Sequence, residues 1–242
     1  MPAPYAVKPH RSRIRTASGW RATSPVAYAA DADALGRVVA GWPVDEFPLL
    51  VQERISGPGV GVFACWHEGR PVAWFGHRRL RERPPSGGVS VLCESVELEP
   101  AARDAAARLL GALDWRGVAM VEFKRDCRDG VAKLMEINGR FWGSLQLAID
   151  AGVNFPDLLL QSVVLGRSTN PPAYRIGARS RWLLGDLDAL LMTLRRSSQG
   201  RGRAIVDFLH LVQPGLRYEN PRLDDPGPAW FELARWVRGG RA

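Results

Sequence analysis

Two stretches decide how this chain is read: Met120-Val-Glu-Phe-Lys-Arg-Asp126 and Leu134-Met-Glu-Ile-Asn-Gly-Arg140. They predict two strands, Val118 to Lys124 and Ala132 to Asn138, joined through Asp126-Cys-Arg-Asp-Gly130. Gly130 is free to take the left-handed backbone that a tight connection needs. A turn centred on Asp129 sets the register. Counting back symmetrically puts Glu122 opposite Glu136, Val121 opposite Ile137 and Phe123 opposite Met135. Side chains alternate along a strand. One face is therefore apolar, with Val121, Phe123, Met135 and Ile137, and the other carries Glu122, Glu136 and Asn138.

Two carboxylates directly opposed across a strand pair repel each other. A bound divalent cation removes the objection. Carboxylate and amide oxygens are the hard ligands that Mg²⁺ prefers, with substrate phosphates filling other positions. Arg140 follows two residues after Asn138, on the same face if the strand continues. A guanidinium there can hold a phosphoryl oxygen or an acyl phosphate. The plainer reading is a surface hairpin with one apolar and one solvated face. A slip of one residue in register separates the two readings.

Outward from the hairpin, the pattern predicts a mixed chain. Tyr5 to Lys8 reads as a short strand, and the polar, basic stretch His10 to Ser24 as a mobile loop. Asp31 to Ala40 reads as a helix with Asp31 or Asp33 near its N-cap and Gly41 at its end. Pro48 to Ile55 is a strand. Val60 to Trp66 and Pro71 to Phe75 flank a hairpin turn at His67-Glu-Gly-Arg70. Arg78 to Gly88, with Pro84-Pro85 and Gly87-Gly88, reads as a basic loop, and Val91 to Leu98 as a strand. Pro100 to Leu113 is an alanine-rich helix with proline at its start. Helices follow at Trp142 to Ala151, closed by Gly152, and from Phe155 to Leu165. After Thr169-Asn-Pro-Pro172 the composition shifts. Helical stretches Trp182 to Arg195 and Ala204 to Val212 then precede a turn-rich end. Strands and helices are mixed without strict alternation, so the expected class is α+β.

Composition bounds the function. The 242 residues, 46% of them hydrophobic, suffice for one large core or two small ones, and 24% charge is ordinary for a globular chain. No apolar run approaches the ~20 residues needed to span a bilayer. The first residues lack the apolar segment of a secretory signal. Cys65, Cys93 and Cys127 are odd in number and form no C-x-x-C pair. A reduced, cytoplasmic protein without structural zinc is expected. The net charge of +8 comes mainly from arginine. It suits phosphate binding or a solvated surface equally. Basic clusters at Lys8 to Arg21, His77 to Arg83 and Arg195 to Arg203 suit nucleic acid in principle, but no nucleic-acid-binding signature is found.

The string from Met120 to Asp126, with Leu134-Met-Glu-Ile-Asn-Gly-Arg-Phe-Trp-Gly-Ser-Leu145 and Ala148-Ile-Asp-Ala-Gly152, resembles the ATP-grasp superfamily of carboxylate-amine ligases. The resemblance covers roughly residues 4 to 168. It implies ATP and Mg²⁺ (or Mn²⁺) as cofactors, with Glu122, Glu136 and Asn138 as metal ligands and Arg140 at the phosphoryl-transfer centre. Gly139 stands where the family usually has proline. Leu49-Leu-Val-Gln-Glu-Arg-Ile-Ser-Gly57 resembles the strand that carries the adenine. It implies polar contacts from Gln52 or Glu53 and backbone hydrogen bonds near Arg54 and Ile55. Tyr5-Ala-Val-Lys-Pro9 resembles the strand whose lysine, here Lys8, reaches the nucleotide phosphates. Arg78 to Ser90 resembles a substrate-side loop, with Arg79, Arg81 and Gly88 as contacts.

The resemblance further implies a partial first ATP-grasp subdomain at 1–47, a complete second subdomain at 48–168 with an antiparallel sheet and flanking helices, and a helical C-terminal extension at 169–242. Such ligases usually carry an N-terminal domain ahead of this point. A partner chain or a second copy completing the fold is therefore one expectation, and activity of the chain alone is an open question. The implied reaction activates a small carboxylate as an acyl phosphate for attack by an amine. The alternatives are a degenerate ATP-grasp fragment serving as a binding or assembly partner and a basic nucleic-acid-binding module. The tail tryptophans Trp182, Trp230 and Trp236 fit either local packing or a docking role. Neither a membrane nor a nucleic acid is an expected partner.

Overall fold

The strand-forming runs near the N-terminus lie side by side in the computed structural model, which describes residues 2–85, 88–167, 169–170, 173–196, 200–211 and 213–239. The chain forms two units, Met1–Ser56 and Gly57–Ala242. In the first, strand β1 (Tyr5–Pro9) buries Val7 fully. Strands β2 (Arg13–Thr16) and β3 (Gly19–Ala22) pair as a separate hairpin. Strand β4 (Ala27–Ala29) precedes helix α1 (Ala32–Ala40). Asp31 caps α1, its Oδ1 accepting from the Ala34 N–H at 2.7 Å. After a 3₁₀ turn at Val44–Glu46 comes β5 (Leu49–Glu53). The sheet order is β4-β1-β5. The strand expected to open the second subdomain thus pairs with β1, Lys8 opposite Leu50 and Ala6 opposite Gln52.

The expected loop His10 to Ser24 is corrected to this β2–β3 hairpin. Its polar composition reads as loop because its anchor is remote in sequence. Arg21 donates to Glu46 Oε1 (2.7 Å) and Asp45 Oδ2 (2.6 Å), and the Ser24 N–H and Trp42 Nε1 donate to Glu46 Oε2 (3.0 and 2.9 Å). Burial works against the Glu46 charge, but these donors outweigh it and hold the carboxyl down at about 2.

The second unit is built on a seven-stranded sheet. Strands β6 (Gly59–His67), β7 (Arg70–Arg83) and β8 (Val89–Ser95) precede helix α2 (Pro100–Ala112). Then come β9 (Gly117–Arg125), β10 (Ala132–Asn138), α3 (Leu145–Ala151) and α4 (Phe155–Leu158), which continues as a π-helical segment, Leu159–Val164. The tail adds β11 (Arg179–Arg181), α5 (Leu183–Arg196), α6 (Arg201–Leu209), β12 (Leu216–Tyr218) and α7 (Gly227–Val237). The order is β10-β9-β6-β7-β8-β11-β12. Neighbours run antiparallel except β11 and β12, which are parallel.

Both faces of the sheet are covered. On one, Val62, Ala64, Val121 and Phe123 pack on the Ala102, Ala106 and Leu110 stripe of α2, where small alanines let the helix approach closely. On the other, Phe63, Phe75 and Met120 meet Trp142, Leu147 and Phe155. Phe63 and Trp142 meet as tilted rings with centroids 4.4 Å apart. Helix α3 ends at Gly152, which adopts φ +115° at the cap.

Three expectations are corrected. The Arg78 to Gly88 loop is strand as far as Arg83. The helix expected from Trp142 begins at Leu145. The tail is more than helical, since β11 and β12 extend the sheet and α7 occupies the turn-rich end. Of the segments named from sequence, Ser86 and Gly87, Ser168, Pro171 and Pro172, Ser197 to Gln199, and Val212 lie outside the described residues. Among the described residues no single helix is long and apolar enough to cross a membrane.

Candidate functional site

The β9–β10 pairing places Glu136 opposite Glu122 and Ile137 opposite Val121, with Gly130 at φ +71°. A bulge at Met135 changes the far end. Phe123 faces Leu134 instead of Met135. The extra residue restores the alternation that brings both glutamates to one face.

On that face the side chains form a connected cluster. The Asn138 amide donates to Glu136 Oε1 (3.0 Å) and to Glu122 Oε1 (3.4 Å). Arg79, from β7, donates to Glu122 Oε2 at 2.8 Å, to Glu82 Oε1 at 3.1 Å and to the Gly88 carbonyl at 3.2 Å. Arg140 donates to Asn138 Oδ1 at 3.4 Å and to the Phe141 carbonyl at 2.9 Å. The face thus holds Glu122, Glu136, Asn138, Arg140 and Arg79 together, as two carboxylates, one amide and two guanidiniums. Burial raises the Glu122 carboxyl above its ordinary value. Arg79 opposes that shift and neighbouring Glu136 adds to it. Glu136 and Arg140 are exposed, so the cluster opens to solvent.

The donor chemistry fits a hard cation. Glu122, Glu136 and Asn138 offer oxygen ligands, and a Mg²⁺ ion typically needs one or two carboxylates beside substrate phosphates and water. Among the described residues no group of three His, Cys, Asp or Glu side chains is placed to hold a metal.

Gly139 has a local reason. A Cβ there would lie 2.6 Å from Cη2 of Trp115, so the indole fills the space that a side chain at this position needs. Sequence reading missed two further residues. Glu82 shares Arg79 with Glu122. Fully buried His77, two residues before Arg79, meets Ser144 Oγ through Nδ1 at 3.1 Å and lies edge-on to Phe63. Burial, with help from Arg79, lowers its pKa to about 3, which keeps it neutral. Its only sequence signal is the period-two spacing with Arg79, Arg81 and Arg83.

Of the other expected residues, Gly88 reaches the cluster through its carbonyl, which accepts from Arg79. Arg81 does not join the carboxylates of β9 and β10. It pairs with Asp186 (2.6 Å) and donates to the Asp207 carbonyl (3.1 Å). Arg83 pairs with Asp188 at 2.7 Å and Arg78 with Glu94 at 2.5 Å, so the basic cluster on β7 is matched internally by carboxylates. Gly88 packs tightly, a Cβ there coming within 2.4 Å of the Arg83 carbonyl oxygen. In the first unit, Lys8, Gln52 and Glu53 lie in the β1–β5 ladder. The Arg54 N–H donates to the Pro4 carbonyl at 2.7 Å and its guanidinium lies 4.3 Å from the Tyr28 ring centre. Ile55 is buried.

A family model described as "ATP-grasp in the biosynthetic pathway with Ter operon" matches residues 45–185. The chain belongs to this ATP-grasp family. A solved structure agrees on the fold. The biotin carboxylase domain of the Hydrogenobacter thermophilus 2-oxoglutarate carboxylase, solved with MgADP, ADP and bicarbonate, superposes with a TM-score of 0.50 at 13% identity, over 74% of this chain and 40% of that one. A biotin carboxylase from Campylobacter jejuni gives 0.49 at 13% identity, covering 74% and 41%. An L-amino acid ligase from Bacillus licheniformis gives 0.45 at 19%, covering 74% and 44%. This ATP-grasp chain thus spans about two fifths of the length of the biotin carboxylase domains it matches. No curated protein sequence matches it. Its fold is the α+β ATP-grasp fold, and the opposed glutamates lie within the matched residues.

Proposed function

We propose that this ATP-grasp chain is the Mg-ATP-binding part of a ligase that activates a carboxylate as an acyl phosphate for attack by an amine. The observation that carries this reading is the cluster on β9 and β10. Glu122 and Glu136 stand opposite each other with Asn138 between them and Arg140 beside it. Such a face suits a bound cation, which would be held by Glu122, Glu136 and Asn138 and would offset charge on the transferring phosphoryl group.

The chemistry balances without an oxidant or reductant. A substrate carboxylate oxygen attacks the γ-phosphorus as the bond to ADP breaks. The amine nitrogen then attacks the acyl carbon, inorganic phosphate leaves and the nitrogen loses a proton. Arg140 is placed to donate hydrogen bonds to the oxygens that gain charge in both steps. Arg79 holds Glu122 in place and meets its charge when no cation is bound. The protein's contribution is position and electrostatics. On the first unit, Lys8, Gln52, Glu53, Arg54 and Ile55 are the candidates for nucleotide contacts.

Hydroxylamine trapping tests the reading. With a panel of carboxylic acids, Mg-ATP and hydroxylamine, at least one acid is expected to give a hydroxamate with matching ADP. Absence of hydroxamate with every acid, in a chain that still binds Mg-ATP, would refute carboxylate activation and leave a nucleotide-binding protein without ligase chemistry.

A further inference from the structure

The second unit also holds a cavity of about 420 Å³ on the far side of β7 and β8, within the size range of small-molecule sites. Most of its lining comes from the tail, beyond the residues matched by the family model. Its walls are aromatic, from Trp182 at the start of α5 and Phe231 and Trp236 on α7. Its charged groups are three carboxylates, Asp188, Glu219 and Glu232, and two guanidiniums, Arg83 and Arg235.

These carboxylates are not equivalent. Asp188 is neutralised, pairing with Arg83 at 2.7 Å and accepting from Trp236 Nε1 at 3.1 Å. Glu232 accepts from Trp182 Nε1 and Asn220 Nδ2, which are neutral donors. Glu219 accepts from Ser180 Oγ at 3.4 Å. Among the described residues neither Glu219 nor Glu232 is in a salt bridge. The cations nearby are engaged with rings. Arg83 lies over Trp182 (4.6 Å to the ring centre), and exposed Arg235 lies beside Phe231 (5.9 Å). Burial pushes Glu219 up to about 7, with Glu232 and Asp150 adding to the shift and Ser180 and Arg222 opposing it. Two carboxylates set in an aromatic cavity with no salt bridge of their own are costly to hold charged, and a ligand bringing a positive charge relieves that cost.

We propose that this cavity binds a small organic ammonium ion, its charge facing Glu219 and Glu232 and its hydrocarbon part lying against Trp182, Phe231 and Trp236. The site is independent of the ligase reading, because its charged groups are separate from those of the β9–β10 cluster. The two are mechanically joined through β7. Arg79 of that strand holds Glu122, while Arg83, four residues further along it, closes one wall of the cavity.

Titration calorimetry without nucleotide tests it, using phenethylammonium chloride against its neutral isostere 2-phenylethanol. The ammonium is expected to bind saturably at one site, and the alcohol about tenfold more weakly or worse, as befits a charge-assisted hydrogen bond. Glu219→Gln and Glu232→Gln are each expected to weaken the ammonium about tenfold. Phe231→Ala removes a side chain that is two-thirds exposed, so it leaves the fold intact, and it is expected to weaken both probes. No saturable heat with the ammonium would overturn the proposal. So would equal affinity for the alcohol, or affinity unchanged in folded Glu219→Gln and Glu232→Gln.

Discussion

Replacing Arg140 with alanine is expected to slow ATP-dependent hydroxamate formation about 100-fold or more, while Mg-ATP affinity changes only a few-fold. Arg140 is exposed on the carboxylate face, and its contacts are to Asn138 Oδ1 and the Phe141 carbonyl. Neither contact carries charge, so the guanidinium is not needed to neutralise the protein itself. Its charge is available to a group that becomes more negative along the reaction. Preorganised donors aimed at developing charge act on the rate more than on ground-state binding. Arg140→Lys keeps the charge and loses the planar fork, so partial recovery is expected. A variant equal to the parent in rate would remove Arg140 from the chemistry.

The second large effect is on stability. Arg79→Ala takes the cation from Glu122, a side chain only 21% exposed, and leaves it facing Glu136 with Asn138 alone between them. The metal-free protein is expected to lose about 2 kcal/mol near neutral pH, less than the cost of breaking a fully buried ion pair because the site is partly open. The pH dependence has a definite sign. The Glu122 carboxyl is already raised in the folded state, and losing Arg79 raises it further. A raised acid is favoured in its protonated form. The variant therefore stands closer to the parent near pH 5 and falls away as pH rises through the folded pKa. Mg²⁺ is expected to recover part of the loss near neutral pH. Melting temperatures at acid and neutral pH, with and without Mg²⁺, check this. An equal deficit at both pH values would mean that Arg79 acts through packing alone.

The hairpin was legible in sequence for a physical reason. Asp129-Gly130 marks the turn and so the strand pair, but next to the turn Arg125 faces Ala132, one residue off a turn centred on Asp129, and the bulge at Met135 supplies the residue that sets Glu122 opposite Glu136. The Asp31 cap and the proline at the start of α2 were legible in the same way, because both act within a few residues. The bulge at Met135 was not, since nothing in the strand itself announces it. The long β7 was hidden by its arginines. Their partners lie 43 residues away for Arg79 and 105 for Arg81 and Arg83. A local reading sees only a basic, proline-ended segment. The β2–β3 hairpin failed likewise, with Arg21 matched by Asp45 and Glu46. Strands β11 and β12 are three residues each and gain meaning only beside β8. The tail carboxylates Glu219 and Glu232 became notable only when folding placed them around one cavity.

The central claim is that the opposed glutamates serve Mg-ATP. Its most direct test is the melting temperature with millimolar nucleotide, with and without Mg²⁺, in the parent and in Glu136→Ala. At a hundredfold excess over Kd, binding stabilises by about 2.7 kcal/mol, which corresponds to about 5–10 °C for a chain of this size. The account predicts that rise for the parent only when Mg²⁺ and ATP are both present, and its loss in Glu136→Ala. A parent that shows no Mg-ATP-dependent shift, or a Glu136→Ala variant that shifts as much as the parent, would contradict it.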